Sequence, residues 1–393
     1  MNAPKPDAAA AAHSRRVQDA VVDAIEAAGG WISFADYMQL VLHAPGLGYY
    51  SAGSTKFGAE GDFVTAPELS PIFAGVCARQ IDRLLKAQGG GALLELGPGT
   101  GAFAVTALER LHQVASPLLA YEMLEISADL RERQRQHIRD PLARWLDALP
   151  TPAPRIVFAN EIIDALPAER FVVREGGWWR LGVGWGEEGL EWRVRPAEGQ
   201  AEGDAAFRAH AAMLAEDLQR RGVTLPEGYC GEWHPQLNEW VAALAATVES
   251  GAILFADYGL PRTQLYHPDR MQGSLRCHYR HHAHGDPFAY PGLTDITTWV
   301  DFSAVAEASE AAGMQVVGFT TQTAFLLGGG LEAELQLAAA LSNDPVQVAR
   351  RAAGVRQLML PGEMGEAVKL MLLTRGIAAQ GEAFGLRDLR DSL

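Results

Sequence analysis

Residues 93–103 read LLELGPGTGAF, an apolar run that breaks into alternating glycines before a helical pattern begins. Gly97, Gly99 and Gly101 flank Pro98 and Thr100, so a ligand here meets bare backbone and the amino end of the next helix. Gly99 in particular is expected to be closed to any side chain. As letters, Gly97, Gly99 and Ala102 fit the dinucleotide pattern GxGxxG/A, whereas a P-loop fails because no Lys-Ser or Lys-Thr pair follows. Two carboxylates separate the remaining ligands. Glu95 sits two residues before Gly97, where it would repel a pyrophosphate and attract a cation. Glu125 ends the next strand pattern, where a carboxylate can accept both hydroxyls of a ribose. S-adenosylmethionine has a ribose, a sulfonium and an ammonium but no phosphate, and it suits both charges better than a nicotinamide dinucleotide. Glu95, Gly97, Pro98, Gly99, Gly101 and Glu125 are the expected cofactor contacts.

The elements that must hold these residues follow from pattern. ALLEL is a buried strand, 102–113 a helix, LLAYEMLE a second strand, SADLRERQRQHI a helix capped by Ser127, and RIVFANE another strand. GAILFADYG (251–259) resumes the series, and MQVVGFTTQTAFLL reads as a late edge strand or strand pair. Strands alternating with helices specify a parallel sheet. Upstream, Val17, Val21, Val22 and Ile25 share a helical face, and Ser70 caps a helix from about Pro71 to Lys86. The alternation is interrupted at 170–196 by antiparallel strands joined at glycine turns, and 203–250 is mostly helical.

Further candidates lie at the strand ends. ANEIIDALP places Asn160, Glu161 and Asp164 at the carboxyl edge of the fourth strand, the edge where open α/β sheets bind ligands. Asn160 is assigned to both cofactor and chemistry, and Asp164 either to chemistry or to capping the turn. Asp257 and Tyr258 end the next strand; plain strand-end hydrogen bonding is their alternative. Asp62 and Glu68 belong to a glycine-bounded segment that reads as a lid over the cofactor or as a packed Ω-loop. Asp147 is a weak adenine contact, and Glu122, inside its strand, is expected to face solvent or a helix. Cys277, His278, His281, His282 and His284 could bind zinc but lack a second ligand pair, so no metal is expected. Arg276, Tyr279 and Arg280, interleaved with them, suggest a polar loop touching substrate or internal carboxylates. Trp178, Trp179, Trp185 and Trp192 in the hairpins read as packing or as a partner surface.

The 393 residues carry a formal net charge of −15, which argues against nucleic acid or an anionic membrane as the main partner. Three widely spaced cysteines give no disulfide framework. No signal peptide or membrane-length apolar run is visible. The expectation is a cytoplasmic protein with residues 1–14 disordered and no membrane insertion. A homodimer is compatible with the chain.

LLELGPGTGAF resembles the glycine motif of seven-stranded, S-adenosylmethionine-dependent methyltransferases. With GYYSAGSTKFGAEGDFVTAPELSPIF, ANEIIDALPAERFVV, FADYG, SLRCHYRHHAHGDPFAYPGLTDITTWVDF and LMLPGEMGEAVKL, in that order, the chain resembles the MidA family from about residue 15 to 375. That family includes a mitochondrial complex I assembly methyltransferase. GDFVTAPE matches at Gly61, Asp62, Phe63, Thr65, Pro67 and Glu68, while Cys277 and His278 read as local variation. The resemblance implies a class I, Rossmann-like α/β fold with a mostly parallel seven-stranded sheet. The pattern along the chain divides it into a helical and glycine-rich segment at 15–90, a core at 91–330 with an insertion at about 170–250, and a helical extension at 331–393. The resemblance also implies methylation of arginine on a respiratory-complex or other protein. On that reading Glu161 is the first choice to clamp the guanidinium, with Asn160, Asp164 and Asp257 beside it and Glu68, Tyr258, Arg276 and Tyr279 binding substrate. Two rivals remain: an assembly chaperone that keeps the fold without catalysis, and a nicotinamide oxidoreductase, which must tolerate Glu95 beside a pyrophosphate.

Overall fold

The computed structural model describes residues 4–51, 65–199, 202–341, 344–378 and 381–393. They form two compact units, one of segments 1–54, 164–236 and 260–302, the other of 55–163, 237–259 and 303–393.

The second unit holds the sheet. Its strands are β1 (Gly91–Leu96), β2 (Leu118–Leu124), β3 (Ala143–Leu146), β4 (Ala153–Asn160), β5 (Val248–Leu260), β6 (Gln315–Thr321) and β7 (Val368–Arg375). They lie in the order β3-β2-β1-β4-β5-β7-β6. All neighbours are parallel except β7, which runs antiparallel to both β5 and β6. Within this unit the sheet is mostly parallel and has seven strands, as the family resemblance implies. Strands of such a sheet are covered on both faces, which accounts for unbroken apolar runs such as Ile156–Ala159 and Ala252–Ala256, all at most 2% exposed. Helix α1 (Pro71–Gln88) starts with Ser70 accepting from Ile72 N–H and stops at Gly89, whose φ is +85°. Helix α2 (Ala102–Gln113) follows the glycine turn directly, and α3 (Ala128–His137) is capped by the Ser127 hydroxyl.

Three expectations need correction here. Residues 368–375 are a buried strand in the sheet, not part of a helical tail; among the described residues of this stretch, α-helices occupy Leu331–Leu341, Pro345–Met359 and Met364–Ala367. VKLMLLTR is buried on both faces, so it has no alternation to distinguish it from a buried helix. Of the two readings of MQVVGFTTQTAFLL, the edge strand holds for Gln315–Thr321, while QTAFLL, expected to be strand as well, begins the helix Gln322–Gly329. Glu122 does not face solvent: its carboxylate pairs with Arg155 of β4 at 3.0 Å.

The first unit carries two antiparallel sheets. One runs Gly189–Arg195, Gly177–Gly186, Glu169–Arg174, Cys230–Trp233; the other His282–His284, Arg276–Tyr279, Asp295–Thr297. The interruption expected at 170–250 is thus shorter at its far end, because Leu237–Ala246 and β5 belong to the sheet unit, while 260–302 adds a second piece. Most hairpin tryptophans pack: Trp178 stacks on Phe171 at 4.2 Å, and Trp192 lies among Phe34, Phe288 and the Arg170 guanidinium. Trp185 is exposed. The N-terminus is also more ordered than expected, with a helix over Ala8–Ala27 whose Asp7 cap accepts from Ala10 N–H. Alanine, which fills residues 8–12, has the highest helix propensity of any residue type. Val17, Val21 and Ile25 are its buried face, with Val22 only half-buried. Among the described residues, no helix is long and apolar enough to cross a membrane.

Arg155 of β4 ties β2 to the segments that lead into β4 and β5. It is 2% exposed, bonds Glu122 on β2 through Nε and Nη2, and donates Nη1 to the carbonyls of Thr151 and Thr247. Removing one partner of a buried ion pair costs about 3–5 kcal/mol, because the other is left charged and dry. Arg155→Met is therefore expected to lower the urea-derived unfolding free energy by about that amount, and Glu122→Met in the same chain to recover part of it. A single variant within about 0.5 kcal/mol of wild type would show that the pair is not structural.

Candidate active site

The carboxyl edge of the sheet brings together the ends of β1, β2, β4 and β5. Gly97 N–H bonds the Leu124 carbonyl, and the Glu161 N–H bonds the Ala256 carbonyl, so the turns after β1 and β4 are each anchored to the neighbouring strand. In the glycine turn Gly97, Gly99 and Gly101 have φ of +56°, +55° and +82°. A Cβ at Gly97 would lie 2.5 Å from Ile162 Cδ1, and one at Gly101 would lie 2.9 Å from Ile138 Cδ1. Pro98 between them is buried. The turn is thus a cradle that other residue types would fill or strain.

Glu95 is 3% exposed, and its Oε2 accepts the Tyr121 hydroxyl at 2.7 Å. Burial drives its carboxyl from 4.5 up to about 8, against the lowering effect of the Tyr121 bond, with the Glu125 charge adding to the rise. Glu125, 5% exposed, accepts from Ser127 N–H at 2.9 Å and from Gln134 Nε2 at 3.4 Å. Asp147 is fully exposed and paired with Arg131, whose Nη2 also donates to the Leu146 carbonyl at 2.7 Å.

At the end of β4, Glu161 has φ of +54°, the left-handed region that a non-glycine residue enters only when held there. Its Oε1 accepts from Asn160 Nδ2 at 3.0 Å and from Ala66 N–H at 3.4 Å. Burial raises its carboxyl to about 8; the Asn160 bond opposes this, and the charges of Asp257 and Glu68 add to it. Asn160 Oδ1 is buried and has no hydrogen-bond partner among the described residues. Asp257, 1% exposed, spends its carboxylate on backbone, accepting Ile162 N–H at 3.1 Å, Ile163 N–H at 2.7 Å and Tyr258 N–H at 2.9 Å. It thereby fixes the turn that carries Glu161, and the strand-end alternative describes it better than a catalytic role. Glu68 closes a capping box with Thr65 on helix Ala66–Leu69, accepting Thr65 N–H at 3.3 Å. Gly61, Asp62 and Phe63 lie outside the described residues.

The other candidates belong to the first unit. The Asp164 carbonyl accepts Thr298 N–H at 2.9 Å. Arg276 is exposed and Tyr279 buried on one strand of the three-stranded sheet; Cys277 and His284 face each other across it, with the turn at Arg280 and His281. Among the described residues no three His, Cys, Asp or Glu side chains are placed to hold a metal.

These features fit S-adenosylmethionine. The glycine cradle excludes side chains, the unpartnered Asn160 oxygen can accept from an ammonium, and a buried carboxyl at Glu95 becomes favourably ionised beside a cation. The residues that would hold it are Glu95, Gly97, Gly99, Glu125 and Asn160. Sequence reasoning missed Tyr121, Gln134 and Trp145. Tyr121 sits in an apolar strand and Gln134 in a highly charged helix, where nothing in the pattern marks either residue.

Because Glu95 and Glu161 bind protons more tightly in the fold than at their ordinary 4.5, the unfolded chain releases them first as pH rises. The cofactor-free protein is expected to lose thermal stability steadily from pH 5 to about 8, and a Glu95→Gln, Glu161→Gln variant to lose much less. An identical slope in both would contradict the buried-carboxyl assignment.

Residues 73–320 match the family model for S-adenosyl-L-methionine-dependent methyltransferases. A COG1565 superfamily member from Burkholderia thailandensis, crystallised with S-adenosyl-homocysteine, is 40% identical with a TM-score of 0.90, covering 99% of this chain and 100% of that one. A second crystal structure from the same organism, an uncharacterised protein of that superfamily, is 38% identical with a TM-score of 0.87, again covering 99% and 100%. The mitochondrial protein arginine methyltransferase NDUFAF7 of Danio rerio is 29% identical over 86% of this chain and 82% of its own length, and that of Rattus norvegicus 27% over 86% and 79%. The glycine cradle, the two strand-end carboxylates and the sheet order therefore belong to a member of the MidA family of S-adenosylmethionine-dependent methyltransferases.

Proposed function

We propose that the methyl acceptor is an arginine side chain of a protein, with Glu161 as the group that receives it. One observation carries this reading: a carboxylate on a strained backbone position, mostly desolvated, held by Asn160 and Ala66 N–H at the carboxyl edge. The arginine methyltransferase names of the zebrafish and rat relatives support the substrate class. A respiratory-complex client, drawn from the family resemblance, is part of the same proposal.

When bound, S-adenosylmethionine supplies an electrophilic methyl on sulfur. A guanidinium keeps its proton to pH above about 12, and its nitrogens share their lone pairs across the plane. An ionised Glu161 pairs with that cation and turns one nitrogen toward the methyl. The new N–C bond forms as the S–C bond breaks, with the electron pair staying on sulfur, and the carboxylate takes the proton that nitrogen gives up. A carboxyl poised near 8 suits both tasks better than one at 4.5, since it ionises beside the cation and accepts a proton readily afterwards.

Glu161→Gln keeps the shape and loses the charge and the base. Methylation of arginine in proteins from a deletion strain, read as mass increments on recovered peptides, is expected to fall by about 10²–10⁴-fold with this variant. S-adenosylmethionine binding should stay within about a factor of ten. Wild-type methylation by the variant would remove Glu161 from the chemistry. Full restoration of the deletion phenotype without methylation would instead favour the non-catalytic assembly role.

A further inference from the structure

Gln134 projects from α3 toward the glycine turn and is fully buried, yet no expectation from sequence or family assigns it a task. Both N–H groups and the oxygen of its carboxamide have partners. Nε2 donates to the Gly99 carbonyl at 2.8 Å and to Glu125 Oε2 at 3.4 Å, while Oε1 accepts the indole Nε1–H of Trp145 at 2.8 Å. A Cβ at Gly101 would lie 3.4 Å from its Cγ, so the side chain also packs along the turn.

We infer that Gln134 is a positioning residue for the cofactor, locked in orientation by Trp145. An amide can present either its oxygen or its NH₂ to a given side, and only the NH₂ suits a carbonyl and a carboxylate. An indole is donor only, so Trp145 dictates which way round the amide lies. With the oxygen committed to Trp145, both N–H groups face the two acceptors. One is the backbone of the cradle itself, and the other is the carboxylate expected to take the ribose. The amide therefore sets the distance between the two parts of the site that grip opposite regions of one molecule. A flipped amide would push its oxygen at both acceptors and spread them. Trp145 is itself held on β3, where the Arg135 guanidinium lies 5.3 Å from its ring centre, so the lock extends from the third strand to the first. The inference concerns cofactor affinity and does not depend on which substrate receives the methyl group.

The test uses the full-length protein, calorimetry with S-adenosylmethionine and S-adenosylhomocysteine, and nitrogen-15 labelling of the tryptophan indoles. Gln134→Glu is close in size but turns acceptor oxygens toward Gly99 and Glu125. Trp145→Phe keeps an aromatic ring on β3 and removes the indole donor. Each is expected to weaken both ligands by roughly tenfold or more, the value of one or two buried hydrogen bonds. The Trp145 indole resonance, identified by its loss in Trp145→Phe, should move on titration of wild type with S-adenosylhomocysteine. A residue that merely braced the helix would lower the melting temperature while leaving the affinity and that resonance untouched. Binding within about twofold of wild type by either folded variant overturns the inference, as does an indole resonance indifferent to the ligand.

Discussion

Left-handed backbone at Gly97, Gly99 and Gly101 is the constraint on which the carboxyl edge depends. It lets the chain leave β1, double back against Ile162 and Ile138, and start α2 without a side chain in the space between. The energetic cost of glycine, its freedom in the unfolded state, is accepted because no other residue follows that path unstrained. Strand β2 and helix α3 then hold the turn in place, through the Leu124 carbonyl on one side and the Gln134 amide on the other.

Around this turn the structure keeps two carboxyls out of water without supplying a cation for either, so both hold their protons into the neutral range. Glu95 and Glu161 are desolvated enough to sit near 8, and neither has a cation among its hydrogen-bond partners. Such an arrangement is unfavourable for an isolated fold and favourable for one that binds a sulfonium, an ammonium or a guanidinium. Asp257 illustrates the complementary use of a carboxylate. It is as buried as Glu95, but three backbone N–H groups satisfy it, and it serves to hold Glu161 at φ +54°. Three acidic side chains at neighbouring strand ends thus have different roles because their donors differ.

Much of this was legible in the chain. The runs at β1, β2, β4 and β5 and the helix at 102–113 stand out because apolar strands, glycine and capping residues leave local signatures, and the ligand edge follows from topology. Glu95, Glu125 and Glu161 could be placed from strand ends alone. What could not be read was set by tertiary context. The strand at 368–375 has no period because both its faces are covered. Gln134 is one glutamine in a polar helix until the helix is docked. The choice between catalysis and bracing at Asp257 rests on where the N–H groups of Ile162 and Ile163 point, which no spacing encodes.

The central claim is that the glycine turn itself holds the cofactor, and Gly99→Val addresses it most directly. A branched side chain at φ +55° strains the turn and fills the cradle, while β1 and α2 keep the apolar faces that fold the sheet. Thermal unfolding with and without S-adenosylmethionine reads the outcome, since a ligand that binds only the folded state raises the midpoint by mass action. The wild-type midpoint should rise with the cofactor, and that of the variant should stay where it is while unfolding remains cooperative. A Gly99→Val protein stabilised by the cofactor to the wild-type extent would place the ligand in another crevice.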